Sequence, residues 1–64
     1  MDAWLVRLDE DEPLYVYELA PFPVLVKHPE DAASFTNAAA RRAMRVFDGQ
    51  KVTIVRRFEE LRNA

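Results

Sequence analysis

Residues 29–48, PEDAASFTNAAARRAMRVFD, decide the fold, because they are the one stretch of this chain with helical periodicity. Pro29 suits the first helical position, and Glu30 and Asp31 complement the positive end of a helix dipole. His28 precedes that proline and is biased towards the extended N-cap conformation. Placed at about 100° per residue, Phe35, Val46, Ala39, Ala32, Ala43, Phe47, Ala40 and Met44 share one broad apolar arc. Asn37, Arg41, Arg45 and Asp48 lie opposite, with Arg42 at the border. Thr36 falls inside the arc, where its hydroxyl can bond a carbonyl of the preceding turn. Gly49, the only glycine, stands where a left-handed residue would end the helix. The arc is lined centrally by alanine, so the helix is expected to lie close on a sheet.

The flanking sequence reads as that sheet. Residues 3–8 alternate with the two-residue period of a strand, Trp4, Val6 and Leu8 on one face and Ala3, Leu5 and Arg7 on the other. Residues 9–13, DEDEP, form an acidic hairpin loop, and residues 14–19, LYVYEL, a second strand. Pro21 and Pro23 interrupt the ladder, and residues 23–27 are a bent extension of strand two or a short edge strand. Residues 51–58 form the final strand, and residues 59–64 a charged tail with a frayed helical turn. The reading is a single α+β domain over residues 1–64: a small antiparallel or mixed sheet of three to four strands, in ββαβ order, with one helix on one face. A right-handed crossover from strand two to the last strand leaves room for strand one between them. If residues 23–27 are a true strand, the helix covers two hairpins instead. Trp4, Val6, Leu8, Tyr15, Tyr17 and Leu19 are expected beneath the helix. Leu5, Arg7, Leu14, Val16, Glu18, Thr53, Val55 and Arg57 are expected on the far face, a mixture that suits neither water nor a core.

Composition bounds the function. At 64 residues without cysteine, the chain has no disulfide framework and no thiolate metal ligand. A hydrophobic fraction of 50% argues against disorder. No basic n-region opens the chain and no apolar run approaches the roughly 20 residues of a membrane span, so a cytoplasmic protein is expected. A domain this small often gains burial by self-association, so a homodimer is a candidate state. The net charge of −2 conceals segregation: residues 1–32 hold eight acids and two bases, residues 33–64 seven bases and three acids.

No constellation names a reaction. Ser34 and His28 are the one conceivable nucleophile–base pair, and Ser34 sits where helix entry explains it. The carboxylates of residues 9–12 lack the spacing and glycine of a calcium loop, and a single glycine builds no phosphate loop. No enzyme, cofactor or metal site is expected.

Two binding surfaces stand out instead. Arg41, Arg42, Arg45, Lys51, Arg56 and Arg57 form a basic set that could grip phosphates as a small nucleic-acid-binding domain. The negative net charge and the core-forming role of the helix weigh against direct nucleic-acid binding. Asp2, Asp9, Glu10, Asp11, Glu12 and Glu18 form an acidic set on or near one hairpin, able to imitate phosphates on a protein partner. Tyr15 and Tyr17, if exposed, would serve as interface anchors. Leu5, Arg7, Val16, Val55 and Arg57 mark a second interface, suited to a structural or regulatory homodimer subunit. In size, acidity, absence of cysteine, a start at Met1 and a one-helix layout, the whole chain resembles the small phage-encoded anti-CRISPR inhibitors. That family shares no sequence signature, so no residue role carries over. The resemblance implies stoichiometric inhibition of a CRISPR effector complex or another nucleic-acid-binding protein in the host cytoplasm. The acidic loop would face a channel lined by Lys and Arg.

Overall fold

The computed structural model describes residues 3–63. Strands β1 (Trp4–Leu8), β2 (Leu14–Glu18) and β3 (Val24–Val26) come first, followed by a 3-10 turn at Pro29–Asp31. Helix α1 (Asn37–Met44) runs into a second 3-10 turn at Arg45–Phe47, then come strand β4 (Val52–Arg56) and helix α2 (Arg57–Asn63). The sheet order is β3-β2-β1-β4, antiparallel throughout. The expected α+β architecture is present, with β1 between β2 and the last strand, and residues 24–26 form a true fourth strand.

The long helix is shorter than the periodicity predicts. Residues 29–48 divide because backbone groups in their first half find sheet partners. The Ala33 N–H donates to the Val16 carbonyl (3.1 Å), and Phe35 exchanges two hydrogen bonds with Trp4 (2.7 and 3.1 Å). Past the Arg7–Tyr15 pair β1 and β2 splay, and residues 33–35 fill the gap in the plane of the sheet. The turn at Pro29–Asp31 packs against α2, so the chain passes here from one face of the sheet to the other. Helix α1 then starts at Asn37, because the Thr36 hydroxyl accepts from the Ala39 N–H (3.1 Å) as an N-cap. Thr36 is therefore a cap and not a member of the apolar arc. Beyond Met44 the tighter 3-10 turn changes the angular spacing, and Val46, assigned to the arc, is 52% exposed. Gly49 adopts φ +88°, the left-handed conformation expected of it.

On the α1 side, Val6, Leu8, Val16, Ala40, Ala43 and Phe47 make the core, edged by Trp4, Leu14, Leu19, Leu25, Phe35, Met44, Val52 and Ile54. The hairpin register corrects the expected faces of β2. Arg7 pairs with Tyr15 and Leu8 with Leu14, one residue away from the expected alignment, which puts Leu14 and Val16 under the helix and turns Tyr15 and Tyr17 to the far face. Ala43 lies fully inside the seam while Ala38 faces solvent. Ala43→Leu should therefore destabilise by about 1–3 kcal/mol through overpacking, and Ala38→Leu by a few tenths at most. Urea denaturation of the two variants measures both.

The final strand and tail are also corrected. Residues 57–63 are not strand and charged tail but α2, whose sequence RFEELRN is rich in helix formers, with Glu59 and Glu60 in the first turn. This helix covers the far face. Leu5, expected at a surface, is 0% exposed there, outside the α1-side cluster. The molecule is thus a sheet with a larger helix on one face and a smaller one on the other.

Candidate functional site

The acidic loop grows out of the end of β1. Asp9 is turned inward: the Arg7 Nε donates to its Oδ1 (2.7 Å), the Thr53 hydroxyl donates to its Oδ2, and its N–H donates to the Lys51 carbonyl (2.9 Å). These bonds hold the base of the loop against β4. Glu10, Asp11, Glu12 and Pro13 are exposed, and only the Glu10 backbone is tied back, its N–H donating to the Leu8 carbonyl (3.1 Å). Among the described residues, no ion pair engages the carboxylates of Glu10, Asp11 or Glu12. Asp9, Glu10, Gln50 and Lys51 line a shallow recess of about 250 Å³ beside the loop.

The acids predicted to act together are not brought together. Asp9 is consumed by internal bonds. Glu18 is exposed at the far end of β2, four residues beyond Leu14 and so roughly 13 Å along the strand. Asp2 lies outside the described residues. What remains as one patch is Glu10, Asp11 and Glu12.

The predicted second interface is largely internal. Leu5 and Val16 are each 0% exposed, on opposite faces of the sheet, and so offer a partner no surface. Val55 and Arg57 are half-buried. Arg7 bridges Asp9 and Glu60, its Nη1 donating to Glu60 Oε1 at 3.0 Å. That same oxygen accepts from the Tyr15 hydroxyl at 2.9 Å. Arg7, Asp9, Tyr15, Thr53 and Glu60 form one polar network across the far face, clamping α2 onto β1, β2 and β4. Sequence reasoning missed it because Glu60 was placed in a tail; the helix-forming run at residues 57–63 was the available signal.

Within the network the Asp9 and Tyr15 titrations shift in opposite directions. The Thr53 hydroxyl, first, holds the Asp9 carboxyl below its ordinary value; burial opposes it, and the Arg7 guanidinium adds to the lowering. Burial, followed by the adjoining Glu60 carboxylate, pushes the Tyr15 phenol above its ordinary value. A depressed carboxyl contributes stability that is present above about pH 3.9 and is lost as pH falls through the lower folded value. A raised phenol contributes stability that is present below about pH 10 and is lost as pH rises through the higher folded value. Asp9→Asn should flatten the acid arm of a plot of urea midpoint against pH, and Tyr15→Phe the alkaline arm. Arms unchanged in both variants would show that the network does not couple to folding.

The basic set is dispersed. Arg41 Nε donates to Asn37 Oδ1 (2.8 Å), Arg42 and Arg45 are exposed on and just after α1, and Lys51 borders the recess. Arg56 lies over the Trp4 ring, 5.0 Å from its centroid. His28 and Ser34 are both exposed, and no hydrogen bond joins them. Among the described residues, no three His, Cys, Asp or Glu side chains converge to hold a metal, and no helix is long and apolar enough to cross a membrane. Exposed apolar side chains gather near the β2–β3 turn, with Tyr17 51%, Phe22 73% and Val24 41% exposed.

No protein-family model, curated protein or solved structure matches this chain.

Proposed function

We propose that this protein is a non-catalytic binding module that presents Glu10, Asp11 and Glu12 to the basic, nucleic-acid-binding surface of a protein partner. It acts as a phosphate mimic in the cytoplasm, in the manner of the anti-CRISPR inhibitors it resembles. The observation that carries this reading is the division of labour in the loop. Asp9 spends its charge internally and braces the turn, while the next three carboxylates stand free on a rigid base. Preorganised charges lose little conformational entropy on docking. Tyr17 and Glu18, exposed at the other end of β2, extend the same hairpin as an aromatic and acidic rim.

Two measurements test the proposal. Duplex DNA at low salt should not bind; binding that falls steeply with salt would favour the arginines of α1 and β4 and sink the mimicry. Proteins captured by the immobilised chain should be nucleic-acid-binding and displaced by duplex DNA. The triple variant Glu10→Gln, Asp11→Asn, Glu12→Gln should weaken that capture at least tenfold, or about 1.4 kcal/mol. Its urea midpoint should stay unchanged, because none of the three side chains is bonded within the fold. Undiminished capture by the variant removes the loop from the interface.

A further inference from the structure

The two edges of the sheet are built differently. Edge strand β3 is three residues long, follows Pro21 and Pro23, and faces an irregularity in β2 between Val16 and Glu18. Short length, proline and a bulge are the devices that keep a sheet edge from pairing with another chain. Edge strand β4 has none of them. It runs for five residues, VTIVR, without proline or bulge, in unbroken register with β1 from Val52 to Arg56.

Its free hydrogen-bonding groups can be assigned. The Arg57 N–H donates to the Ala3 carbonyl (2.8 Å) and the Asp9 N–H to the Lys51 carbonyl (2.9 Å), so odd-numbered residues of this strand point their backbone groups at β1. Trp4, an even-numbered residue of β1, correspondingly points its own away from β4, to Phe35. By the same alternation the N–H groups of Val52, Ile54 and Arg56 and the C=O groups of Val52 and Ile54 face outward from the sheet, while the Arg56 C=O opens α2; among the described residues no further strand lies beyond these three donors and two acceptors.

The charges at the two ends of that edge differ in sign. The end at Val52 adjoins the corner where Asp9, Glu10 and Lys51 meet, and there the free carboxylates of Glu10, Asp11 and Glu12 outnumber the lysine. The other end carries Arg56, exposed, before the chain turns away into α2. An edge that is acidic at one end and basic at the other is complementary to itself when run antiparallel. A foreign acidic strand would meet repulsion at the first end, and a basic one at the second.

We propose that β4 is a homodimer interface, pairing antiparallel with β4 of a second copy about a two-fold axis at Ile54. Ile54 then exchanges both backbone bonds with its symmetry mate, and the Arg56 N–H of each copy donates to the Val52 carbonyl of the other, giving four hydrogen bonds and an eight-stranded sheet. Ile54 lies against Ile54 on the α1 side, and Thr53 against Val55 on the α2 side, pairs of β-branched side chains that favour strand pairing. Each Arg56 approaches the acidic corner of the other copy. This interface is separate from Leu5 and Val16, whose burial excludes them; its backbone bonds belong to β4, and the acidic loop enters it only as the neighbour of Arg56.

The test is sedimentation over a range of protein concentration, joined to amide hydrogen exchange at each concentration. A monomer–dimer equilibrium is expected, with the Ile54 and Arg56 amides at least tenfold better protected at high concentration and β3 unaffected. Arg56→Glu should weaken the dimer at least tenfold while the circular dichroism of the monomer is retained, and adding Glu10→Arg to it should restore association. A chain that stays monomeric throughout overturns the proposal. So does a dimer whose added protection lies away from β4, or one indifferent to Arg56→Glu.

Discussion

Phe47→Ala is expected to remove about 3–5 kcal/mol of stability, the cost of deleting a large aromatic from a core that cannot collapse around the gap. The helix above the sheet contributes Ala40 and Ala43 at its centre, so the bulk on that side is concentrated in Phe47, which is 5% exposed. A chain of 64 residues has about 3–10 kcal/mol of total stability at ordinary values per residue. The variant should therefore lose a large share of its stability, with a urea midpoint far below that of the parent chain at 25 °C. A loss below about 1 kcal/mol would mean that neighbouring side chains close the space, contrary to the close alanine seam.

Leu5→Ala tests the other face. Its side chain is fully buried on the face of the sheet that carries α2, and its truncation should cost about 2–5 kcal/mol. The variant carries a second, more specific signature. Because Leu5 and the Arg7–Glu60–Tyr15 bonds together hold α2 down, amides of residues 57–63 should lose hydrogen-exchange protection before those of β1. If α2 keeps its protection and the midpoint barely moves, the far face is not a second core, and the surface role predicted for Leu5 would return.

The proposed charge mimicry and the β4 pairing meet at the acidic corner. The first offers its three carboxylates to a partner; the second uses backbone groups of the neighbouring β4 edge and sets Arg56 of the other copy beside that corner. A dimer formed through β4 would carry two acidic loops, related by the two-fold axis, and so could engage two basic sites or one extended one. Separate variants distinguish them: Arg56→Glu leaves the loop intact and reads self-association, and the triple loop substitution made in that monomeric background reads partner capture.

Local chemistry made much of this legible in advance. Alternation in residues 4–8, β-branched and aromatic residues in 14–18 and 52–56, and the lone glycine after residue 48 each specify their structure within a few positions. The order of β2, β1 and the last strand agrees with the expectation, but the crossover from β2 behind that expectation does not occur, because β3 intervenes before the helix. The hairpin register did not follow. Alternation divides β2 into two faces without saying which is inner, and here a one-residue difference moved Tyr15 and Tyr17 out from under the helix. The length of α1 did not follow either, since residues 33 and 35 are bonded to Val16 and Trp4, distant in sequence, rather than within a helix.

The sequence by itself determined the α+β class, the acidic turn and the lack of any cysteine, because these depend on residue types and short-range periodicity. Only the tertiary structure decided which acids are free, which sheet face is covered and which edge is open. Asp9 is lost to the loop because Arg7 and Thr53 reach it; Leu5 is buried on the face to which Glu60 of α2 is bonded; β4 is open because, among the described residues, no strand pairs beyond it. Each is a contact between residues far apart in the chain, and no local pattern encodes it.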